Sequence, residues 1–215
     1  MFGLYDKYVL PKVCNCCMNT KPVNYQRKKI VPNAKGLVLE IGIGSGSNIP
    51  FYDKNKVTKV IGIDPSKELN AMAKKMANKN NIDVEIIESS AEVIPLPDKS
   101  VDTVLVTYTM CTVPDVMSAN IEMKRVLKND GEMLFCEHGI ADNSKTIALQ
   151  NRLNSIWGIF FGGCNLNRDI PKLITESGFT IKSLEKMYLP GTPKFIGYNY
   201  WGLSLIHISE PTRPC

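Results

Sequence analysis

The run Val38-Leu39-Glu40-Ile41-Gly42-Ile43-Gly44-Ser45-Gly46 is an apolar stretch that flows into three glycines at alternate positions. A turn of this kind lets the main chain approach a ligand closely, because a Cβ there would fill ligand space or forbid the dihedrals the turn needs. A second stretch, Ile61-Gly62-Ile63-Asp64, ends in a carboxylate eighteen residues beyond Gly46. A carboxylate at a strand end can accept hydrogen bonds from both hydroxyls of a ribose. The alternative for Asp64 is a solvated side chain capping the helix that follows.

The spacing discriminates among nucleoside ligands. A dinucleotide fingerprint places glycines at offsets of about 0, 2 and 5, and the residue five beyond Gly42 is Ser47, the third glycine coming one position early at Gly46. The nicotinamide reading therefore loses ground. Glu40, two positions before the first glycine, favours S-adenosylmethionine (SAM), since a carboxylate there can orient the loop and hold the ammonium end of the methionine moiety.

Further along, His138 is the histidine outside the C-terminal tail, and an ordinary pKa of about 6.5 suits it to proton removal at neutral pH. Two readings stay open: His138 is a general base, or His138 and Glu137 merely bind loop backbone or each other. Asn167 and Arg168 either orient a polar acceptor or tie down the loop after Gly162-Gly163. Cys111 reads as pocket lining rather than as a nucleophile, because a sulfonium donor is already activated and needs no covalent enzyme intermediate. Trp157, Phe160 and Phe161 share a helical face, as core or as the wall of an apolar acceptor channel.

The elements that must position these groups alternate strand and helix from residue 36 onward, the signature of βαβ units around a largely parallel sheet. Strands are expected at 37–41, 59–64, 84–88, 101–107 and 132–137, and helices at 67–79, after a cap at Ser66, and at 116–127. Beyond residue 140 come helices near 144–161 and 170–177 and a strand pair ending near Trp201. Residues 1–33 read as one or two short helices broken by Pro11, Pro22 and Pro32, forming a lid segment. The fold class expected is α/β, a Rossmann-like doubly wound, mostly parallel seven-stranded sheet with helices on both faces and an antiparallel C-terminal strand. Its domain would span 34–202. Residues 203–215 look like a translated cloning read-through and are set aside.

With these residues in view, the chain resembles the class I SAM-dependent methyltransferases. The resemblance rests on Glu40 to Gly46, Asp64, Ala91-Glu92 before Pro95-Leu96-Pro97-Asp98, Val101-Asp102, and Arg125-Val126-Leu127-Lys128 before Gly131, all in the family's order. More narrowly, Lys21-Pro22-Val23, Glu137-His138-Gly139 and Gly163-Cys164-Asn165-Leu166-Asn167-Arg168 are similar to the branch holding the methyltransferase-like 7 thiol methyltransferases and related phospholipid and quinone methyltransferases. The resemblance implies SAM as cofactor, with Ser90, Ala91 and Glu92 beside the adenine and Thr107 facing the donor. Where the family often carries Asp this chain has Ser90, which leaves the Ala91 N–H to read the ring. It also implies methyl transfer by in-line displacement, in which orienting the reactants contributes roughly 7 to 11 kcal/mol. The acceptor would be a small or lipophilic thiol, amine or hydroxyl compound. The chain has Thr107-Tyr108-Thr109-Met110 instead of the Asn-Pro-Pro-Tyr-like turn common among methyltransferases of nucleobases, which argues against that substrate. A non-catalytic SAM-binding partner protein and a nicotinamide-dependent oxidoreductase are the competing readings.

Composition agrees with an ordinary globular protein: 215 residues, 44% apolar and 22% charged, enough chain for a full core. The net charge of +5 is spread along the chain without the basic blocks that track phosphates, so nucleic acid is not an expected partner. Apolar runs such as 156–161 fall far short of the roughly 20 residues that span a bilayer, and the N-terminus has no signal-peptide pattern. A cytoplasmic location with peripheral membrane contact is the expectation. Seven cysteines without a regular framework suit free thiols in a reducing compartment. Cys14, Cys16 and Cys17 cluster, but no matching Cys/His pair follows nearby, and no metal is expected.

Overall fold

The computed structural model describes Tyr5 and residues 9–206, without the Cys14 side chain. Seven strands form a single sheet in the order β3-β2-β1-β4-β5-β7-β6. They are β1 (Gly36–Ile41), β2 (Val57–Ile63), β3 (Val84–Ile87), β4 (Val101–Thr107), β5 (Leu127–His138), β6 (Phe179–Tyr188) and β7 (Tyr198–Ile206). The pairs from β3 through β5 are parallel, whereas β7 runs antiparallel to both β5 and β6. The winding reverses between β1 and β4, and the crevice beyond their carboxyl ends is where open α/β sheets hold ligands.

Alternate side chains along the central strands build two cores. One face of the sheet buries Leu39, Ile41, Ile61, Ile63, Val104, Val106, Met133 and Phe135. Against it pack α4 (Val116–Val126) through Val116, Ala119 and Met123, and α6 (Ile170–Glu176) through Ile170 and Ile174. The other face buries Val38, Val60, Leu105, Leu134, Cys136 and Trp201 under Ile30 and Val31. Burial on both faces explains why β1, β2 and β4 read as nearly continuous apolar runs rather than as alternating ones.

Helix α3 (Lys67–Asn80) begins as expected, the Ser66 hydroxyl accepting from the Leu69 N–H. The main differences lie at boundaries. The expected helix 116–127 stops at Val126, because Leu127 is extended and already pairs with Val101 as the first residue of β5. The N-terminal prolines start helices rather than break them. Pro11 and Pro22 fall in the first turns of α1 (Leu10–Met18) and α2 (Lys21–Ile30), where a missing N–H costs nothing. Strand β7 runs on to Ile206, so residues 203–206 of the suspected tail pair with β5 and β6. Strand pairing uses main-chain groups that every residue but proline supplies, and residues 207–215 lie outside the described part. The remaining helices are α5 (Ser144–Phe160) and the short α7 (Lys194–Gly197). Among the described residues no helix is long and apolar enough to cross a membrane.

Candidate active site

The glycine turn leaves β1 at the switch point with Gly42, Gly44 and Gly46 all at positive φ. Two of them are glycine for different reasons. A Cβ on Gly42 would collide with the Thr109 side chain, which leans over the turn and donates to the Ile41 carbonyl. A Cβ on Gly44 would meet nothing nearer than the Gly42 oxygen at 3.8 Å, so it would project into open crevice. Asp64, at the end of β2, accepts from the Gly44 N–H at 3.0 Å and from the Ser66 N–H at 2.8 Å. Burial raises its pKa while these two bonds hold it down. A carboxylate has roughly four acceptor positions, so each Asp64 oxygen keeps capacity for a hydroxyl. An open bare-backbone face beside a strand-end carboxylate with spare acceptor capacity fits a ribose and an amino-acid tail.

Beneath this turn lies a polar network in an otherwise dry core. Glu40, fully buried, accepts from Asn48 Nδ2 at 2.9 Å and from the Tyr52 hydroxyl at 2.5 Å. Burial pushes its carboxyl up to about 7, against the pull of those bonds and of the Arg27 charge. Asn48 also donates to the Thr107 hydroxyl at 2.9 Å and accepts from Arg27 Nε at 2.9 Å. Glu40 and Thr107 thus spend their visible bonds on the floor of the crevice. Asn48 and Tyr52 carried no sequence signal beyond nearness to the turn, and Arg27, within a helix, carried none, since each matters only through a partner distant in the chain. The N-terminal helices reach the turn as well, Ser45 Oγ donating to Asn15 Oδ1 at 2.6 Å.

On the adenine side, Ala91 is buried and Ser90 and Glu92 are half-buried in the turn after β3. The Glu92 carboxylate accepts from the Asp115 N–H at 3.3 Å, which joins this turn to the start of α4.

The other half of the crevice is built by the loop after β4. Tyr108 takes φ +52°, a left-handed conformation costly for a bulky residue, and redirects the chain across the ends of β1 and β5. The loop is then held from three sides. Glu137 Oε1 accepts from the Thr109 and Met110 N–H groups at 2.7 and 3.1 Å. The Arg168 guanidinium donates to the Met110 and Val113 carbonyls. Asn165 binds the Cys111 carbonyl through both its N–H and its side-chain amide. Of the open readings, Glu137 binds loop backbone, and Arg168 clamps the loop after β4. Asn167 pairs with Asn151 at the surface.

His138 does not pair with Glu137. Its Nε2 lies 3.1 Å from Cys164 Sγ, and Cys111, His138 and Cys164 bring their ligand atoms within 4.8 Å of one another. A hydrogen bond from Cys164, reinforced by the histidine, holds the Cys111 thiol well below its ordinary range and correspondingly raises Cys164. Burial works against protonating His138, but the Cys111 charge outweighs it and the imidazole rises. Burial, with the same charge, pushes Glu137 up to about 8. Cys164 was not singled out as a chemical group from sequence, because its 53-residue separation from Cys111 matches no ligand spacing. The Cys14, Cys16 and Cys17 cluster stands elsewhere, with Cys16 and Cys17 exposed and free.

An open glycine turn, packed against the loop that carries Cys111 to an imidazole and a second thiol, has the layout of a group-transfer site. Residues 39–135 match the family described as a methyltransferase domain. Thiol S-methyltransferase TMT1B of Rattus norvegicus is 30% identical over 169 residues, covering 74% of this chain and 68% of that protein. The chain belongs to the class I SAM-dependent methyltransferases. Human thiol S-methyltransferase TMT1A is 28% identical, with 81% of this chain and 72% of that protein covered. A phosphatidylethanolamine N-methyltransferase of Cereibacter sphaeroides is 31% identical over 56% of this methyltransferase and 60% of its own length. In three dimensions, a SAM-dependent methyltransferase from Thermotoga maritima superposes with TM-score 0.67 over 95% of this chain and 98% of its own, at 19% identity. The fold is therefore shared although little sequence is. The methyltransferase uses SAM, which supplies an electrophilic methyl group on a sulfonium.

Proposed function

We propose that this methyltransferase transfers the methyl group to the thiol of a small lipophilic acceptor. The carrying observation is an apolar hollow of about 360 Å³ lined by Leu153, Ile156, Trp157, Phe160, Phe161 and Phe195. Trp157, stacked on Phe161 with ring centroids 3.9 Å apart, belongs to that wall and also adjoins the sulfur of Cys164. The hollow therefore ends next to the Cys111, His138 and Cys164 group, where an acceptor's polar head would sit. The relatives named as thiol S-methyltransferases support the same reading. On this view the bare backbone at Gly44 receives the methionine portion, and Gly42 and Gly46 shape the turn around it. Asp64 binds the ribose, with Ser90, Ala91 and Glu92 flanking the adenine. Glu40 and Thr107 shape the cradle through Asn48. His138 stands at the acceptor's polar head, with Arg168 holding the loop that carries Cys111 and Asn167 adjoining it. Ile156, Ile159 and Phe160 are exposed on the same helix and let this face rest on a lipid surface from which the acceptor enters.

The test offers radiolabelled SAM with alkane thiols of increasing length, an aminophospholipid and a quinol. Label should enter the thiols, with KM falling about fourfold per methylene that becomes buried. Label in the phospholipid but in no thiol would overturn the proposal. Asp64→Ala should weaken SAM binding by about 1 to 3 kcal/mol through lost charge-assisted bonds, as read by calorimetry.

A further inference from the structure

Cys111, His138 and Cys164 come from the loop after β4, the end of β5 and the turn after α5, so nothing local to the chain explains their convergence. Two thiols and an imidazole form a known three-ligand set for catalytic zinc, which leaves one position of its tetrahedron for substrate. Zinc–sulfur and zinc–nitrogen bonds of about 2.3 and 2.0 Å put ligand atoms roughly 3.5 to 3.8 Å apart. The three ligand atoms here lie within 4.8 Å of one another, the His138–Cys164 pair at 3.1 Å, so adjustments of about 1 Å, shared between side chains, would admit the ion. The three ligand groups are buried, and Cys164 lies next to Trp157 at the inner end of the apolar hollow. The buried indole N–H of Trp157 stands by Cys164, placed to donate to that sulfur as a metal-bound thiolate.

We infer that Cys111, His138 and Cys164 bind a zinc ion whose open position takes the acceptor thiol as thiolate. This deepens the thiol reading and rests on it. The charges favour the arrangement. Two cysteine thiolates neutralise zinc, the substrate thiolate adds one negative charge, and the sulfonium opposite cancels it. On binding zinc the substrate thiol releases its proton to solvent. Its sulfur then attacks the methyl carbon, forming the new carbon–sulfur bond, and the old bond's electron pair stays on the departing sulfur of S-adenosylhomocysteine. The thioether product is neutral and a weak ligand, so it leaves. His138 acts here as a ligand and not as a free base.

The experiment measures zinc in the full-length protein by elemental mass spectrometry. It then replaces zinc by cobalt(II) after chelation and assays thiol methylation and SAM affinity in each state. Stoichiometric zinc, sulfur-to-cobalt charge-transfer bands, and loss of both in Cys111→Ser and Cys164→Ser but not in a Cys16→Ser/Cys17→Ser variant support the site. Zinc removal should slow thiol methylation roughly 30-fold at pH 7, the factor by which an unbound thiol of pKa about 8.5 is short of thiolate. SAM affinity should be unchanged, and added zinc should restore the rate. Retained stabilisation by SAM in the serine variants shows that they are folded. A folded wild type that takes up neither metal, or a chelated enzyme that methylates thiols undiminished, overturns the zinc site while leaving the thiol reading standing. Zinc uptake with label entering only phospholipid or quinol overturns the thiol reading and, with it, the role assigned to the open position.

Discussion

Strands β1 and β5 end alike, in Glu40-Ile41-Gly42 and Glu137-His138-Gly139, yet the two ends do opposite things. At β1 the buried carboxylate bonds side chains, Asn48 and Tyr52, and the loop it supports offers bare main chain to the crevice. At β5 the buried carboxylate bonds main chain, the N–H groups of Thr109 and Met110, and the loop it supports delivers a side chain, Cys111, to His138 and Cys164. On the proposed reading, the glycine turn meets the cofactor mainly through backbone, with Asp64 beside it, and the acceptor half works through side chains. A cofactor common to a whole family needs the first, and an acceptor that differs among relatives needs the second.

The largest expected effect separates the two kinds of glycine. Gly42→Val places branched carbon against Thr109 at φ +67°, combining left-handed strain with overpacking. It should cost more than about 3 kcal/mol, enough to depress the yield of folded protein. Gly44→Ala has room in the absence of cofactor and should cost only about 1 to 2 kcal/mol, yet its methyl group occupies the space the cofactor needs. Thermal unfolding with and without SAM reads both at once. The variant at Gly44 should fold and lose its SAM-dependent stabilisation, and if it bound SAM like the wild type the turn would not be the cofactor's cradle.

The buried carboxylate of the cofactor half gives the next effect. Glu40 titrates at about 7 in the folded chain against 4.5 ordinarily. The folded state therefore holds the extra proton between these values, and stability falls as pH rises through that window. A displacement of this size corresponds to about 3 kcal/mol. The charged or polar groups that face it are Arg27, Tyr52, Asn48 and Asp64. Denaturant unfolding at pH 5 and pH 8 should show a steeper loss for the wild type than for Glu40→Gln. Glu137, raised for the same reason of burial, contributes to both proteins and cancels in the difference. Equal losses would place Glu40 in a wetter setting than this network.

What sequence could reveal follows the same division. The strands β1, β2 and β4, the glycine turn, Asp64 and the Ser66 cap are legible because each is local: a continuous apolar run, a spacing, a residue type at a strand end. The start of β5 at Leu127 was not, since a helix former continues the α4 pattern there and only pairing with Val101 makes it strand. Asn48 and Arg27 are not legible because a polar residue near a turn, or a charged one on a basic helix, looks solvated until the fold buries it at 2% and 3% exposure. Arg168 was read as a choice between acceptor and loop, and which loop it holds is set by a partner some 55 residues away.

Arg168 supplies the smallest effect and the sharpest contrast between the halves. Its guanidinium spans the Met110 and Val113 carbonyls on either side of Cys111, so it fixes where that thiol stands without touching the glycine turn. Both bonds leave the single nitrogen Nη1, and Arg168→Lys keeps the charge but replaces that donor by a shorter-reaching, more strongly hydrated ammonium that loses at least one of them. Loss of one such charge-assisted bond should cost about 1.5 to 3 kcal/mol, a fall in midpoint of roughly 3 to 12 °C for a chain of this size. Because the displaced element carries acceptor chemistry, kcat should drop while the dissociation constant for SAM stays within error of the wild type. A variant that loses SAM affinity in step with turnover would show the two halves to be one mechanical unit, and the division between backbone and side-chain recognition would dissolve.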